Sequence, residues 1–336
     1  EASESLGRLD SAISRVPNPE LLIRPALRQE AQSTAALEGT HASLDELMMS
    51  EIDFDAKKSA HVLEVGNYFT AVTLATRLLE RKPLVFSVIN KLQKEIVRGT
   101  PDDYYDAGAI RQRQVVIGSD DRENSIRFVP MLPGDELQKA ISNWEKWIHA
   151  EHDLPVIAKV ALAHYQFETI HPYSNGNGRV GRLIIPLQLI QYGVLTHPAL
   201  TLSQWLERNK GEYRDLLLRV SQTGDFDSWI LFFAQGLRAS ARSDLARIDG
   251  LLDLQKAQMD VLEKSGDRTE ARNVVPMLIA YPMLSAPIVV EHLGITPRTA
   301  NAALRKLESI GLITEITGKK YARKWVAPEV RKFLGN

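Results

Sequence analysis

Residues His171–Arg182 read HPYSNGNGRVGR, and a largely apolar run, Leu183–Ile190, follows at once. Three glycines, two asparagines, two arginines and a histidine within twelve residues suit either a corner between helices or a cradle for an anion. Glycines at 176 and 178 reach the positive-φ states that let successive backbone N–H groups, those of Gly176, Asn177 and Gly178, curl around an anion. The helix expected from about Arg179 aims the positive end of its dipole at the same place. Arg179 and Arg182, three apart, share a helix face. Two guanidinium groups there form a clamp for the β- and γ-phosphates of a nucleotide. His171, at the loop's entrance, is placed to take a proton from an incoming hydroxyl near neutral pH. A plain corner would give the histidine and the paired arginines no reason to share one window.

The rest of the chain bounds the reading. Its 336 residues allow two domains or one large domain with appendages. A net charge of −1 excludes a global basic field for nucleic acid, and the absence of cysteine excludes disulfides and thiolate metal sites. No apolar run reaches about 18 residues, so no transmembrane helix and no membrane partner are expected. The first residues, EASESLGRLD, carry no basic-then-apolar leader pattern, which leads to the expectation of a cytoplasmic protein.

Apolar residues at three- and four-residue spacings predict helices over His61–Glu80, Glu136–Glu151, Pro155–Glu168 and Ser228–Arg247. Arg113–Gly118 and Ile126–Val129, rich in branched residues on either side of Ser119–Ser125, predict a β-hairpin. A lone hairpin in a helical protein offers an edge for docking an extended peptide. Ala241–Lys264 reads as a linking helix with Leu245, Ile248, Leu252, Met259 and Leu262 as its stripe, a length that favours core packing over a dimer seam.

Beyond Ser265-Gly266-Asp267 the pattern changes. Pro287–Leu293 predicts a short helix ended by Gly294, and Thr296 caps a second helix with Pro297 at its first position. That helix runs to Ile310 and is followed by a predicted hairpin, Leu312–Ile316 and Tyr321–Val326. This is the order of a winged helix. Ser285–Asn336 holds nine Lys/Arg against four Asp/Glu, a local +5 in a chain of net −1. Arg298, Asn301 and Arg305 fall on the second helix's exposed side, and Lys319, Lys320, Arg323 and Lys324 in the wing, so residues 296–324 are a candidate DNA contact. A protein-interaction or dimer module with a solvated basic face fits the same pattern.

The motif His-Pro-aromatic-x-x-Gly-Asn-Gly-Arg-x-x-Arg resembles the signature of Fic-domain proteins. Gly108-Ala109-Ile110-Arg111 leading into Val115–Gly118 is similar to that family's hairpin approach, and Glu207, Asn209 and Tyr213 to its adenosine-side helix. The resemblance spans most of Val62 to Gly236. It implies a mainly α fold with a β-hairpin flap, a homodimer, and transfer of AMP from ATP to a hydroxyl side chain of a target protein. By the same resemblance His171 is the general base, Gly176, Asn177 and Gly178 bind the α- and β-phosphates, and Arg179 and Arg182 the β/γ end. Asn209 and Tyr213 lie near adenine or ribose, and hairpin 113–129 holds the target by strand addition. Two positions depart from the pattern. Tyr173 replaces the usual Phe. Asn175 stands where the family usually carries an acid for Mg²⁺, and an amide oxygen lacks the charge that strengthens magnesium binding. A slow enzyme, or a metal held mainly by phosphates and water, follows. Transfer of phosphocholine or phosphate, known within the family, stays open.

Ser33–Gly39 reads STAALEG, helix-forming residues with Gly39 as C-terminal cap. Taken alone it is a short helix with an exposed Glu. Beside the motif it resembles the family's inhibitory helix, Thr34 to Gly39. Glu38 is expected to pair bidentately with Arg182 and so take the arginine from the γ-phosphate. A second role for Glu38 is to orient a water that removes AMP from a modified protein. The expected organisation is an N-terminal helical region with the inhibitory helix over 1–95, a Fic core over 96–240, a linking helix over 241–270 and a winged helix over 271–336. The leading function is an autoinhibited adenylyltransferase. The rival is a DNA-binding transcriptional regulator whose Fic-like module only senses nucleotide.

Overall fold

A computed structural model describes residues 1–53, 58–118, 126–266 and 269–335. The fold is mainly helical, with two small antiparallel sheets.

Helix Asn177–Gln191 begins inside the quoted motif and is apolar on nearly every face. Val180, Leu183, Ile184, Leu187 and Leu189 are fully buried. A helix without a polar face has to sit inside others, and this one packs on Val156–Ile170, Ala60–Leu79 and Phe86–Val97. Two indoles fix Val156–Ile170 in turn. Trp229 Nε1 donates to the Ala161 carbonyl at 2.8 Å, and Trp144 Nε1 to that of Ala163 at 2.9 Å. Trp229 has no exposed surface and meets His164, Phe232 and Phe233 ring to ring.

The chain divides into two compact units whose segments alternate. Residues 1–10, 27–41 and 59–242 form the first, and 11–26, 42–58 and 243–336 the second. The consecutive division expected from composition and pattern therefore differs from the way the segments interleave. Helix Pro19–Leu37 contributes to both units, and so does Phe226–Lys264, a single 39-residue helix where two overlapping helices were expected. Of its expected stripe, Ile248 and Leu262 are buried and Leu245, Leu252 and Met259 half-buried.

In the second unit, strand Met283–Ser285 leads into helix Ala286–Leu293, which Gly294 ends in a left-handed turn. Thr296 caps Pro297–Ser309 by accepting from the Thr299 N–H. Strands Thr314–Glu315 and Lys324–Val326 follow, shorter than predicted, and Lys324–Val326 is the middle strand of three. The first strand, Met283–Ser285, had no counterpart in the sequence reading. Helix Leu44–Ile52, started by a Ser43–Glu46 capping box, packs on that strand. Asp45 pairs with Arg331 and Asp53 with Lys324. Lys324 is thus an ion-paired strand residue and not a free cation of the wing. Asn301 also departs from the expected role, since its amide donates to the Pro297 carbonyl.

The early hairpin forms as Ile117–Gly118 and Ile126–Phe128, shorter than expected, with a register irregularity between Ile117 and Gly118. Its turn, Ser119–Ser125, lies outside the described residues.

Replacing Trp229 by Ala removes the buried ring and its bond to Ala161. The expected loss is about 3–5 kcal/mol, read as a lower urea midpoint by circular dichroism. Trp229→Phe should lose less, because it keeps most of the apolar contact.

Candidate active site

Helix Val156–Ile170 stops at His171, whose backbone is left-handed, with φ 50° and ψ 63°. Non-glycine residues seldom adopt this state. Here it turns the chain sharply into the loop. Arg111, fully buried, holds the turn: its guanidinium donates to the carbonyls of His171 at 2.8 Å, Arg113 at 3.1 Å and Met131 at 2.6 Å. Its own N–H donates to the Pro172 carbonyl. Asn177 closes the loop from inside, its Oδ1 accepting from the Tyr173 N–H and its Nδ2 donating to the Tyr173 carbonyl. The Asn177 side chain is therefore committed to the loop, which leaves its backbone N–H as the group for an anion. Tyr173, with no exposed surface, donates its hydroxyl to Asn90, so the aromatic at this position is also a tether.

Gly176 caps helix Asn177–Gln191 in the left-handed region, and the dipole's positive end opens into a cleft. Leu37, Glu38, Glu168, His171, Gly178, Arg182 and Tyr213 line it, with Arg214 on one side and hairpin residues Ile117, Gly118, Arg127 and Phe128 along its rim. His171 Nδ1 lies 3.3 Å from the Glu168 carbonyl. A proton on Nδ1 satisfies that contact and leaves Nε2 as the accepting nitrogen. Burial lowers the His171 pKa to about 4, so the ring is neutral at physiological pH.

Arg182 is 3% exposed. Its Nε donates to Thr34 Oγ1 at 2.7 Å, and its Nη2 to the Thr34 carbonyl at 3.0 Å and Glu38 Oε1 at 2.5 Å. The grip is thus shared between Thr34 and one oxygen of Glu38, and corrects the bidentate pair expected for Glu38 alone. Burial pushes the Glu38 pKa up, but Arg182, with smaller help from Arg179 and Arg214, outweighs it and holds the carboxylate below its ordinary value. Glu38 follows the last turn of Pro19–Leu37, a helix longer than its seven-residue sequence signal. Gly39 turns the chain away at φ 89°. Glu30 pins the same helix by accepting from the Ser203 N–H and hydroxyl. A Cβ built on Gly178 would overlap both Glu38 Oε1 and the Arg182 guanidinium. The carboxylate therefore lies directly on the turn where the nest and the dipole meet.

Arg179 does not join Arg182 in the cleft. It is buried between Glu64, at 3.4 Å, and Asp102. Glu64 also accepts from the Thr40 hydroxyl at 2.8 Å. The expected two-arginine clamp is corrected in this state because local carboxylates neutralise Arg179. Asn209 is likewise outside the cleft. Its amide donates to the Trp205 carbonyl at the junction of helices Leu202–Arg208 and Lys210–Thr223, so the single adenosine-side helix is two helices. Tyr213 does reach the cleft, with its hydroxyl 2.9 Å from His164 Nε2.

Asn175 is fixed through its carbonyl, which accepts from Gln93 Nε2 at 3.0 Å. Among the described residues no group of three His, Cys, Asp or Glu is arranged to hold a metal. An amide alone does not make a magnesium site, and these residues do not fit a resident ion.

The sequence reading missed Glu168, Gln93 and Glu30, and saw Arg111 only as part of the hairpin approach. Glu168 carried a usable signal, standing in the helix's last turn, three residues before His171.

Gly178→Ala should displace Glu38. Overpacking of this kind costs about 1–3 kcal/mol. Hydrogen exchange at the Glu38–Thr40 amides, which donate back to Ala35 and Ala36, should accelerate accordingly. Unchanged exchange would mean that the carboxylate does not rest on Gly178.

A model for the Fic/DOC family N-terminal region matches residues 1–77, and the Fic/DOC family model matches 83–189. The protein adenylyltransferase Fic of Drosophila ananassae is 24% identical over 241 residues, 69% of this chain and 45% of its own length. The Drosophila yakuba protein of the same description is 31% identical over 134 residues, 39% of this chain and 24% of its own. The chain thus spans less than half the length of the curated relatives it matches. A solved Fic family protein from Desulfovibrio desulfuricans superposes with a TM-score of 0.58 at 17% identity, covering 97% of this chain and 95% of its own. Fic-1 from Caenorhabditis elegans gives 0.55 at 20%, with coverages of 75% and 72%. These likenesses in structure concern the fold.

Proposed function

The chain belongs to the Fic/DOC family, and from that premise we propose that it is an autoinhibited protein adenylyltransferase. It moves AMP from ATP to a hydroxyl side chain of a target protein or of itself. The observation that carries the reading is Glu38: a carboxylate held on Arg182, over Gly178, in the cleft that His171 lines.

In the reaction, His171 Nε2 takes the proton of the target hydroxyl as its oxygen attacks the α-phosphorus of ATP. The bond from that phosphorus to the bridging oxygen breaks, and pyrophosphate leaves. The backbone N–H groups of Gly176, Asn177 and Gly178 and the helix dipole stabilise the α- and β-phosphate charge. Arg182 takes the β/γ end. Tyr213 forms part of the wall nearer the nucleoside. Magnesium would come with ATP as part of the substrate and supply charge neutralisation to the phosphates, Asn175 adding no anionic ligand of its own. The target's extended segment adds to the strand edge of the hairpin, where Ile117 and Phe128 face the cleft and Val116, Ile126 and Val129 are exposed.

Glu38 opposes all of this. While it occupies Arg182, a triphosphate meets a carboxylate where its own charge should be neutralised, so the resting enzyme is quiet.

A second reading concerns the C-terminal unit, which we propose to be a winged helix. Arg298, Arg305, Lys319, Lys320 and Arg323 are exposed on it. That surface suits phosphate contacts with DNA, and such binding would weaken steeply with salt.

With labelled ATP, Glu38→Gly should raise covalent labelling of the protein or its target at least tenfold over the parent. His171→Asn in that background should abolish it. Equal labelling by parent and Glu38→Gly would remove the brake from the proposal, and label that survives loss of His171 would remove the base.

A further inference from the structure

Glu168 lies in the last turn of helix Val156–Ile170, inside the same cleft, and none of the roles above uses its side chain. Its Oε1 is buried and has no hydrogen-bond partner among the described residues. Buried polar atoms are rarely left so, and each exception calls for a reason. The neighbours explain why no donor reaches it. His164 Nε2 is 4.0 Å away, but that nitrogen is the acceptor for the Tyr213 hydroxyl, and Nδ1 faces the Gly181 carbonyl. The Tyr213 proton is spent on the same bond. Arg182 directs Nε and Nη2 at Thr34 and Glu38. Space is nonetheless kept for this carboxyl: a Cβ on Gly181 would overlap Oε1. Glycine at that motif position is what admits it.

We propose that Glu168 serves as a neutral carboxylic acid, donating its O–H to an anionic oxygen of the bound phosphate chain while Arg182 neutralises another. This deepens the adenylyltransferase reading and rests on it for the identity of the ligand. A carboxyl without donors favours its protonated form, and a protonated carboxyl needs an acceptor. Oε1 is enclosed against Gly181 and His164 and stays bare, so the proton is carried by the carboxyl's other oxygen, which is not enclosed, toward the cleft, where phosphate oxygens can accept it.

The charges around Glu168 support this. Burial raises its pKa to about 7; Arg182 opposes the rise and Glu38 adds to it. His164 is held neutral, its pKa lowered to about 3 by burial. Tyr213 is un-ionised, its pKa raised by burial and by Glu168. His171 faces the Glu168 backbone and is neutral, while Arg127 and Arg214 look into the same cleft. When a triphosphate replaces Glu38, one anion replaces another, and Glu168 is still pressed toward its neutral form. The sign follows. Ligand affinity is greatest where Glu168 is protonated before the ligand arrives, and falls as the carboxyl of the complex ionises with rising pH.

The test compares full-length Glu38→Gly with Glu38→Gly/Glu168→Gln, titrated calorimetrically with α,β-methylene ATP between pH 5.5 and 8.5. Gln keeps the shape and a donor at every pH. The analogue's own phosphate ionisation is common to both proteins and cancels in the comparison. In the Glu168 protein, affinity should fall by about tenfold more across this range than in the Gln variant. Glu38→Gly/Glu168→Ala, without a donor, should bind about tenfold more weakly at pH 6. Parallel pH profiles for Glu and Gln, or an Ala variant as tight as Gln at pH 6, overturn the assignment. Absence of covalent labelling by Glu38→Gly would count against transferase activity and leave this binding comparison decisive for Glu168.

Discussion

A guanidinium cannot shed its proton inside a protein, so the charge of Arg182, buried at the first turns of the central helix, has to be met by acceptors, and here one of them is an anion. Much else is arranged around that requirement. Thr34 takes two of its donor contacts and Glu38 one, which fixes where Pro19–Leu37 ends. Glu30 and Ser203 then secure that helix further back. Breaking a buried ion pair by withdrawing one partner is strongly unfavourable. The carboxylate therefore leaves readily only when another anion takes over. On the proposed function, the resting contact and the working contact are one site with two occupants.

The loop beside Arg182 is held by a different chemistry. Asn177, Gln93 and Tyr173 tie it down with bonds from neutral side chains, and Arg111 spends its charge on carbonyl oxygens alone. None of these contacts places an anion in the nest. Apart from the Asp106 carboxylate, which accepts from the Ser174 hydroxyl, these ties bring no charge to offset the local positive potential. Arg179 is the counterexample, with its charge absorbed by Glu64 and Asp102. Thr40 touches Glu64, so one short stretch of chain reaches both arginines.

Much of this was legible in the chain itself, since the motif's chemistry is carried by spacing within twelve residues. The apolar run that follows announced a buried helix, and Gly39 announced the turn that leaves Glu38 at a helix end. What escaped was long in sequence or ambiguous in burial. Arg179 meets Asp102 across 77 positions, and Arg331 meets Asp45 across 286. No periodicity signals such pairs, so neither the loss of the double clamp nor the alternation of the two units was visible. Asn209 looked like a helix residue because nothing local marks the break there. Glu168 read as one more charge in a helix's last turn, and its nearness to His171 in sequence could not show that it is buried.

The left-handed backbone at His171 has a consequence for how this chain can change. Of the side chains that lie one nucleotide from a histidine codon, asparagine and aspartate are the two best suited to that conformation. Either removes the imidazole, and asparagine leaves no base in its place, while both suit the turn that precedes the nest and the buried arginine. On the proposed role of His171, a lineage can therefore abandon the chemistry in a single mutation while keeping a folded anion cradle, and an asparagine at this position in a related chain would then mark a former catalyst retained as a binder.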